Sequence, residues 1–416
     1  MLEKHFSDPR TLRRLRAGLS GPYIDGFAKS LAEEGYAHAT AIRYIRAAAR
    51  LGVFVQRRNG VLTEIDVNTL QAFRRHLIYG RCPRGSGGKT GYHAYFGVKL
   101  FHRYLIQRGI CPSPPPASGA EHDVPSLVSS FATWYQRHRG IAQPTVRLYS
   151  RGATELLAAL GKDVRTWSPQ DLRTFLLDHA KWSGTETTQK LITSVRAFLR
   201  YLSFCGEARP DLDRAIPAIA HWRLASLPRC LSADELKRLI AACDGDSPTR
   251  CRDRAIILLL SRLGLRAGDV AQLRGPDVDW QNGTLQVIGK GRYQVRLPLP
   301  QDAGDALLRY MRCRPLVEHT DRIFLRSIAP FRPFASGDGV SCVVARALQR
   351  AGIEAPTQGA HLLCHTAATE MLRNGVSLDK IGLVLRHRSI DMSAYYAKVD
   401  VDLLRQIAQP WPEVKP

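Results

Sequence analysis

The stretch RDRAIILLLSRLGLRAGDVAQL, residues 252–273, predicts a buried helix, a cationic turn and a second helix. The first helix is apolar on nearly every side at its centre, so we expect it inside a folded core. Gly264 is a natural end for it, because glycine adopts the left-handed conformation that closes many helices. Arg266 then stands at the mouth of the next helix, where backbone N–H groups and the helix dipole favour an anion.

Two later motifs add titratable side chains to this region. TLQVIGKGRYQVRLPL, residues 284–299, alternates as strand, Gly-Lys-Gly turn and strand, which predicts a hairpin with Lys290 at its tip. LRHRSIDMSAYYAKVD, residues 385–400, places His387 nine residues ahead of Tyr396. A lysine in a turn usually serves solubility and a tyrosine beside a helix usually packs, so neither motif is decisive alone.

The segment HLLCHTAATEMLRNG, residues 361–375, brings a third group of candidates. His361, Cys364 and His365 lie at helical positions i, i+3 and i+4, on one face. Histidine and cysteine are common zinc ligands, but three candidates with no clear fourth and no Cys-x-x-Cys pair argue against zinc. We therefore expect no metal site here.

The charge of the chain points to a polyanionic partner. Sixty Lys and Arg against 37 Asp and Glu give a net charge of +23 over 416 residues. The basic residues are spread along the chain rather than gathered beside an apolar anchor, which favours nucleic acid over a lipid surface. The sequence shows no apolar window as long as a membrane span and no apolar signal core, and its nine scattered cysteines fit reduced thiols.

The first half of the chain contains an internal duplication. A linker rich in Pro, Ser and Gly occupies residues 111–123. GYAHATAIRY (35–44) and GIAQPTVRLY (140–149) share Gly, Ala, Thr and Tyr at identical spacing, and YFGVKLFHRYLIQRG (95–109) matches ITSVRAFLRYLSFCG (192–206) in the same way. These matches predict two copies of a helical module, each of four helices and roughly ninety residues.

The last helix of the second copy has a clear apolar face. This face is formed by Val195, Phe198, Leu199 and Leu202. Arg196 and Arg200 lie off it. Solubility alone accounts for such arginines, but two basic modules in tandem favour contact with DNA.

A second boundary falls in the proline-marked stretch 208–229. Ser232 and Glu235 then form the pattern of a capping box that opens a helix. From there to about residue 409 the pattern predicts one mixed α/β domain. Its later helices are expected at 302–313, 340–351, 361–374, 377–385 and 400–408.

Five motifs now stand in a fixed order: GLRAGDVAQL, the Gly-Lys-Gly hairpin, HLLCH, LRHRS and a final Tyr. Together they resemble the catalytic domain of the tyrosine recombinases, the phage-integrase family. The resemblance implies a multidomain, mainly α fold, with two helical SAM-like core-binding modules followed by a mixed α+β catalytic domain. The implied parts are an N-terminal DNA-binding module that duplicates the core-binding domain (1–110), a linker (111–123), the core-binding domain (124–207), a linker (208–225), the catalytic domain (226–409) and a tail (410–416).

The family's chemistry suggests a role for each candidate. In this family a tyrosine attacks a DNA phosphodiester, forms a 3′-phosphotyrosine and releases a 5′-hydroxyl. By motif, Tyr396 corresponds to the nucleophile and Arg266 to the first of two arginines that hold the non-bridging oxygens. Lys290 corresponds to the lysine that protonates the leaving oxygen, and His361 and His387 to histidines that assist proton transfer. The phosphotyrosine keeps the bond energy, so the resemblance implies no cofactor, neither ATP nor a metal.

Three positions depart from the family's pattern. Cys364 stands where the second arginine is expected, and losing such a contact costs on the order of 3–4 kcal/mol. Arg386 stands where the family usually has glycine. It either reaches toward the phosphate as a partial replacement or crowds a turn that needs glycine. Tyr395 is a neighbouring phenol at a position where the family has an apolar residue.

Two functions remain open. One is a site-specific recombinase or integrase of a mobile element, impaired by Cys364, that acts on double-stranded DNA as a homo- or hetero-tetramer. The other is a catalytically inactive DNA-binding or synaptic partner with the same fold. A topoisomerase-type nicking enzyme ranks below both, because duplicated modules favour recognition of a defined site. We expect a bacterial cytoplasmic protein, nucleoid-associated when bound to DNA, with no membrane contact and no small-molecule substrate.

Overall fold

The chain forms two compact units, one made of residues 1–113 and 224–416 and the other of residues 114–223. The computed structural model describes residues 1–79, 89–112, 126–217, 229–288, 294–317, 320–387 and 389–397. These residues are mainly helical with one small sheet, as predicted. None of the helices within them combines the length and apolar character that a membrane crossing requires.

The N-terminal part of the first unit is a bundle of amphipathic helices. Its helices are α1 (Pro9–Ala17), α2 (Gly21–Glu33), α3 (His38–Gln56), α4 (Val67–Tyr79) and α5 (Lys89–Gln107). Their apolar faces enclose a core around Phe27, Ile45, Phe73 and Phe101, all almost fully buried. Burial of large apolar side chains supplies the main driving force for such a bundle. Ala329, from the C-terminal part of the same unit, packs against this core.

The second unit has its own helices in a similar order. They are α6 (Ser126–Arg139), α7 (Gln143–Leu160), α8 (Pro169–Trp182) and α9 (Thr185–Phe204). Phe131, Trp167 and Phe198 are nearly completely buried at its centre. The predicted apolar face of α9 is confirmed, since Val195, Phe198, Leu199 and Leu202 are all buried.

The two arginines beside that face have partners inside the second unit. Arg196 donates from Nη2 to the carbonyl oxygen of Ile216 at 2.9 Å. Arg200 forms an ion pair with Asp213, with Nε 2.8 Å from Oδ2. Both side chains tie the segment after α9 back onto the helix, so they contribute to the fold of this unit.

The C-terminal part of the first unit is built around one buried helix. Its helices are α10 (Ala233–Ala241), α11 (Pro248–Leu263), α12 (Ala267–Gln272), α13 (Gln301–Cys313), α14 (Gly337–Ala351), α15 (His361–Arg373), α16 (Leu378–Leu385) and α17 (Ile390–Ala397). Every residue of α11 from Ala255 to Ser261 is buried, as the apolar run predicts. The capping box of α10 is also confirmed, since Ser232 and Glu235 bind each other's backbone N–H groups.

A small antiparallel sheet follows α12. Strands β1 (Val278–Asp279), β2 (Thr284–Ile288) and β3 (Gln294–Pro298) lie in the order β1-β2-β3. Ile288 pairs with Gln294, which confirms the predicted hairpin. The turn that would carry Lys290 falls in residues 289–293, outside the described residues.

The last three helices share a small core of their own. Ala368 of α15, Ile381 and Leu385 of α16 and Tyr396 of α17 are buried together. The predicted helices at 361–374 and 377–385 agree with α15 and α16 to within one residue. The helix predicted at 400–408 lies outside the described residues.

A substitution at Gly264 tests how closely the end of α11 packs against the Leu385 side chain of this small core. It ends α11 in the left-handed conformation, at φ 57°, and a Cβ there would overlap the Leu385 side chain. Gly352 ends α14 at φ 62°, and a Cβ there would meet open space. In both alanine variants, the left-handed backbone conformation costs about 1–2 kcal/mol of stability. We expect Gly264→Ala to lower the thermal unfolding temperature more than Gly352→Ala, because only the former also displaces Leu385. Equal shifts in calorimetry would contradict a tight contact there.

Candidate active site

Four of the five predicted catalytic residues lie close together. Arg266 precedes α12, His361 begins α15, His387 follows α16, and Tyr396 lies in α17. Arg266 bonds the residue before His387, the His387 ring lies parallel to that of Tyr396, and His365 links His361 to Tyr396 through ring contacts. The position of the fifth, Lys290, is not described.

Arg266 binds a distant segment of the chain. Its Nη2 donates to the carbonyl oxygens of Leu385 at 3.2 Å and Arg386 at 3.1 Å. Its backbone N–H donates to the Asp269 carboxylate at 3.2 Å, at the start of α12. Its Nη1 is buried and has no hydrogen-bond partner within the described residues. This nitrogen is therefore available to an anionic ligand.

Cys364 lies beside Arg266 but offers no charge. Its Sγ donates to the carbonyl oxygen of Leu265 at 2.9 Å, and the residue is only 5% exposed. Burial raises the pKa of the Cys364 thiol to about 11, although the charges of Arg386 and Arg266 oppose that rise. The side chain is thus a neutral thiol at neutral pH, unsuited to act as a nucleophile.

Two histidines meet on the first turn of α15. The ring centroids of His361 and His365 lie 4.3 Å apart, edge to face. Burial, and then the neighbouring His361 and His387, lower the pKa of His365 to about 4. Burial and then the Arg266 charge also lower the pKa of His361. Both rings are therefore held in the neutral form near pH 7.

The structure does not gather the ligands of a metal site here. The Cys364 sulfur donates to the backbone carbonyl oxygen of Leu265. Over the part of the chain that the structure describes, no group of three or more His, Cys, Asp or Glu side chains is placed to hold a metal ion.

His387 is oriented by a buried serine. Its Nδ1 lies 2.8 Å from Oγ of Ser393, a side chain of α17 that is 0% exposed. The His387 ring lies parallel to the Tyr396 ring, with the centroids 6.2 Å apart. Burial lowers the pKa of His387, and the charge of Arg266 lowers it further. A neutral imidazole is thus fixed beside the phenol.

Tyr396 is buried among these groups. It is 3% exposed, and its ring centroid lies 5.5 Å from that of His365. Burial, followed by Cys364 and Tyr395, raises the pKa of the Tyr396 phenol well above its usual value, and Arg266 only partly opposes this. The phenol therefore keeps its proton in the protein without DNA, and a base must take that proton during any attack.

Arg386 has an unusual conformation for an arginine. Its backbone is left-handed, at φ 57° and ψ 47°, and its side chain is only 5% exposed. Its Nη1 lies 2.8 Å from Oδ2 of Asp269, a close ion pair. The geometry is not that of a hydrogen bond, and Nε, Nη1 and Nη2 all lack hydrogen-bond partners within the described residues.

Three residues of this site were not assigned from the sequence. Asp269 pairs with Arg386, Ser393 orients His387, and His365 lies against Tyr396. The spacing of His365 after His361 is a visible signal, but the pattern suggested only metal binding. The local sequence around Asp269 and Ser393 does not indicate their roles. The partner of Asp269 is distant in sequence, and the turn between α16 and α17 brings Ser393 to His387.

The state of the Cys364 thiol can be measured by alkylation. At pH 8 a thiol with a pKa of about 11 is about one-thousandth thiolate. We expect iodoacetamide to modify the exposed Cys342 quickly and Cys364 hardly at all in the native protein, as read by peptide mass spectrometry. In denaturant the two should react alike. Native labelling of Cys364 at the rate of Cys342 would contradict its burial.

Solved structures share this fold. A XerH site-specific recombinase bound to palindromic difH substrate, in a post-cleavage complex, matches with a TM-score of 0.55 and 19% identity, covering 69% of this chain and 85% of that chain. A lambda integrase tetramer bound to a Holliday junction matches with a TM-score of 0.53 and 17% identity, covering 80% of this chain and 91% of that chain. At these identities the likeness concerns the fold alone.

Sequence relatives identify the family. The model described as the phage integrase family matches residues 229–402. A Sinorhizobium fredii protein named as integrase/recombinase y4rA is 39% identical over 400 residues, which cover 94% of this chain and 94% of that protein. The match extends well beyond the region of the family model, and the chain belongs to the phage-integrase family of tyrosine recombinases.

Proposed function

We propose that this protein is a site-specific DNA recombinase or integrase that cuts and rejoins DNA through a 3′-phosphotyrosine. The observation that carries the proposal is the convergence of Arg266, His361, His387 and Tyr396 from separate segments of the chain. A permanent cation, neutral imidazoles and a buried phenol together suit phosphoryl transfer better than acyl or redox chemistry.

Tyr396 is the proposed nucleophile. Its phenolic oxygen attacks phosphorus, so that a bond from tyrosine to phosphorus forms while the bond from phosphorus to the 5′-oxygen breaks. The phenol loses its proton to a neighbouring imidazole, and the leaving oxygen takes one from the proposed acid Lys290. Water is not consumed, so the phosphotyrosine can be reversed by a second 5′-hydroxyl.

Arg266 is the proposed phosphate ligand. Its buried Nη1 lacks a partner within the described residues, while Nη2 is held by two carbonyl oxygens. One edge of the guanidinium is thus fixed, and the other is left for a non-bridging oxygen. Such a preorganised donor stabilises the charge that grows on the phosphate in the transition state.

His387 and His361 are the proposed proton-transfer residues. Their pKa values are both lowered, chiefly by burial, so each ring can accept a proton near neutral pH. Ser393 holds one nitrogen of His387, which leaves the other nitrogen for the reacting groups. The ring of His387 lies parallel to that of Tyr396, with the centroids 6.2 Å apart.

Cys364 supports a second candidate function. A neutral thiol at this position removes one of the two arginine contacts expected in the family, which costs on the order of 3–4 kcal/mol of transition-state stabilisation. A protein impaired to that extent could serve instead as an inactive DNA-binding or synaptic partner of an active recombinase. The two functions differ in whether a covalent adduct forms.

DNA and further subunits are the proposed partners. The net charge of +23 favours a polyanion, and the lambda integrase structure with this fold is a tetramer on a Holliday junction. We propose that this chain also assembles on double-stranded DNA, as a homo- or hetero-tetramer, at the ends of a mobile element. The N-terminal helical module at 1–110, the four-helix module at 124–207 and the catalytic domain at 226–409 would each contact the duplex.

A basic groove in the N-terminal module supports this role. It has a volume of about 500 Å³ and is lined in part by Arg14, Arg46, Arg50, Arg57 and Phe54. Three of these arginines belong to or follow α3 at positions that share one face, and all are exposed. An exposed arginine stripe beside an aromatic ring suits a nucleic-acid backbone.

Covalent trapping tests the reaction directly. The substrate is a nicked suicide duplex carrying the ends of the element that encodes the protein, with EDTA present. We expect a denaturant-resistant protein–DNA adduct with the unaltered protein and with Tyr395→Phe, and none with Tyr396→Phe. An adduct that still forms with Tyr396→Phe would show that Tyr396 is not the nucleophile. DNA binding without any adduct would favour the inactive-partner function.

The salt dependence of DNA binding tests the basic groove. Each phosphate contact contributes about 0.9 to the slope of log K against log salt. Arg50→Gln with Arg57→Gln should reduce that slope by about 2, as measured by fluorescence anisotropy. Lys29→Gln is the matched control, because this exposed charge is paired with Glu33 and does not line the groove. An unchanged slope in the double variant would remove the groove from the DNA interface.

A further inference from the structure

The proposed reaction leaves one electrostatic requirement unmet at position 364. A phosphodiester gains negative charge on its non-bridging oxygens during attack, and a single cation stabilises only part of that charge. Cys364 is buried, donates its S–H to the Leu265 carbonyl, and supplies no charge. If the protein cuts DNA as proposed above, another side chain must fill this place.

Arg386 has the burial that such a role requires. Its side chain is 5% exposed, although an arginine after a helix end normally extends into water. Its left-handed backbone, at φ 57°, turns the chain sharply at the end of α16. A non-glycine residue in this conformation is strained, so the fold holds a long cation inward where glycine would fit more easily.

Arg386 and Arg266 are neighbours in space. The carbonyl oxygen of Arg386 accepts a hydrogen bond from Nη2 of Arg266 at 3.1 Å. Asp269 links the two residues again, since its carboxylate accepts the backbone N–H of Arg266 and lies 2.8 Å from Nη1 of Arg386. Asp269 therefore connects the backbone of Arg266 to the guanidinium group of Arg386 at the start of α12.

Several guanidinium nitrogens of both arginines have no hydrogen-bond partner within the described residues. Within the described residues, Arg386 has three buried nitrogens with no hydrogen bond, and Arg266 has one. Buried donors in native proteins are nearly always satisfied, and a guanidinium is the donor that best matches phosphate oxygens. One carboxylate cannot satisfy all of these nitrogens. These unpaired nitrogens are therefore available to an anion.

The charge of Arg386 also acts on the side chain that replaced the family's arginine. It favours ionisation of Cys364 and opposes protonation of His387, so its electrostatic effect reaches both of these residues. Arg266 affects the same two groups. A cation at residue 386 therefore acts on the region that an arginine at residue 364 would serve.

We propose that Arg386 is a catalytic residue that takes the place of the missing second arginine and binds the scissile phosphate of DNA together with Arg266. The inference rests on the proposed recombinase function and deepens it. It assigns the anion at this site as a DNA phosphodiester, held by guanidinium groups from the start of α12 and from the end of α16.

Three variants of the full-length chain test the proposal with the nicked suicide duplex. Arg386→Gly removes the cation and suits the left-handed backbone, so a loss of activity cannot be attributed to strain. We expect its rate of adduct formation to fall about 100-fold or more. Arg386→Lys should retain part of the rate, because it keeps a charge. Cys364→Arg combined with Arg386→Gly should recover most of the rate by restoring the family's pattern.

A neutral substrate separates phosphate binding from a purely structural role. A methylphosphonate at the scissile position lacks one negative oxygen, so its cleavage depends less on a second cation. We expect the unaltered protein and Arg386→Gly to differ by less than about tenfold on this substrate, compared with about 100-fold on the phosphodiester. Thermal unfolding of both proteins checks that the fold is retained. An equal loss on both substrates would show that Arg386 only supports the structure, and would overturn the proposal.

The remaining outcomes distinguish this inference from the proposed function. Unchanged cleavage of the phosphodiester by Arg386→Gly would overturn the role of Arg386 and leave the recombinase function standing. An inactive unaltered protein together with an active Cys364→Arg, Arg386→Gly variant would also overturn the role of Arg386, and it would favour the inactive-partner function. If neither of those proteins forms an adduct that depends on Tyr396, the recombinase function itself fails, and the role of Arg386 fails with it.

Discussion

The hydrogen bonds from Arg266 to the carbonyl oxygens of Leu385 and Arg386 are the interaction on which the site depends. The two bonds span sequence separations of 119 and 120 residues. Because a charged donor is involved, each bond contributes about 1.5–3 kcal/mol. His387 follows these carbonyls directly, and α17 with Tyr396 begins three residues later. One guanidinium thus fixes the turn that positions both the histidine and the nucleophile.

Burial gives the site its resting charge state. It lowers the pKa values of His361, His365 and His387, and it raises those of Cys364 and Tyr396. All five side chains are therefore neutral near pH 7. The site holds excess positive charge until an anion enters. A bound phosphate would offset that charge.

Local patterns in the sequence predicted the elements that local forces decide. The buried helix α11, its stop at Gly264, the capping box at Ser232 and the hairpin all follow from apolar periodicity and turn chemistry. Motif order also gave Arg266 and Tyr396 as candidate site residues, and their roles remain predictions. The sequence could not reveal that Arg196 and Arg200 bind within their own unit, or that Ser393 holds His387, since those contacts depend on how the chain folds back.

Arg386 shows why a change at one catalytic position must be judged in three dimensions. Residues 364 and 386 belong to α15 and to the end of α16, which pack together through Ala368 and Leu385. Electrostatic stabilisation depends on the distance from a charge to the reacting phosphate and on burial, not on which helix carries the charge. A guanidinium that enters from the α16 side, held by Asp269, can therefore act where the α15 side offers only a thiol. The left-handed strain at Arg386 is the cost of directing that cation inward.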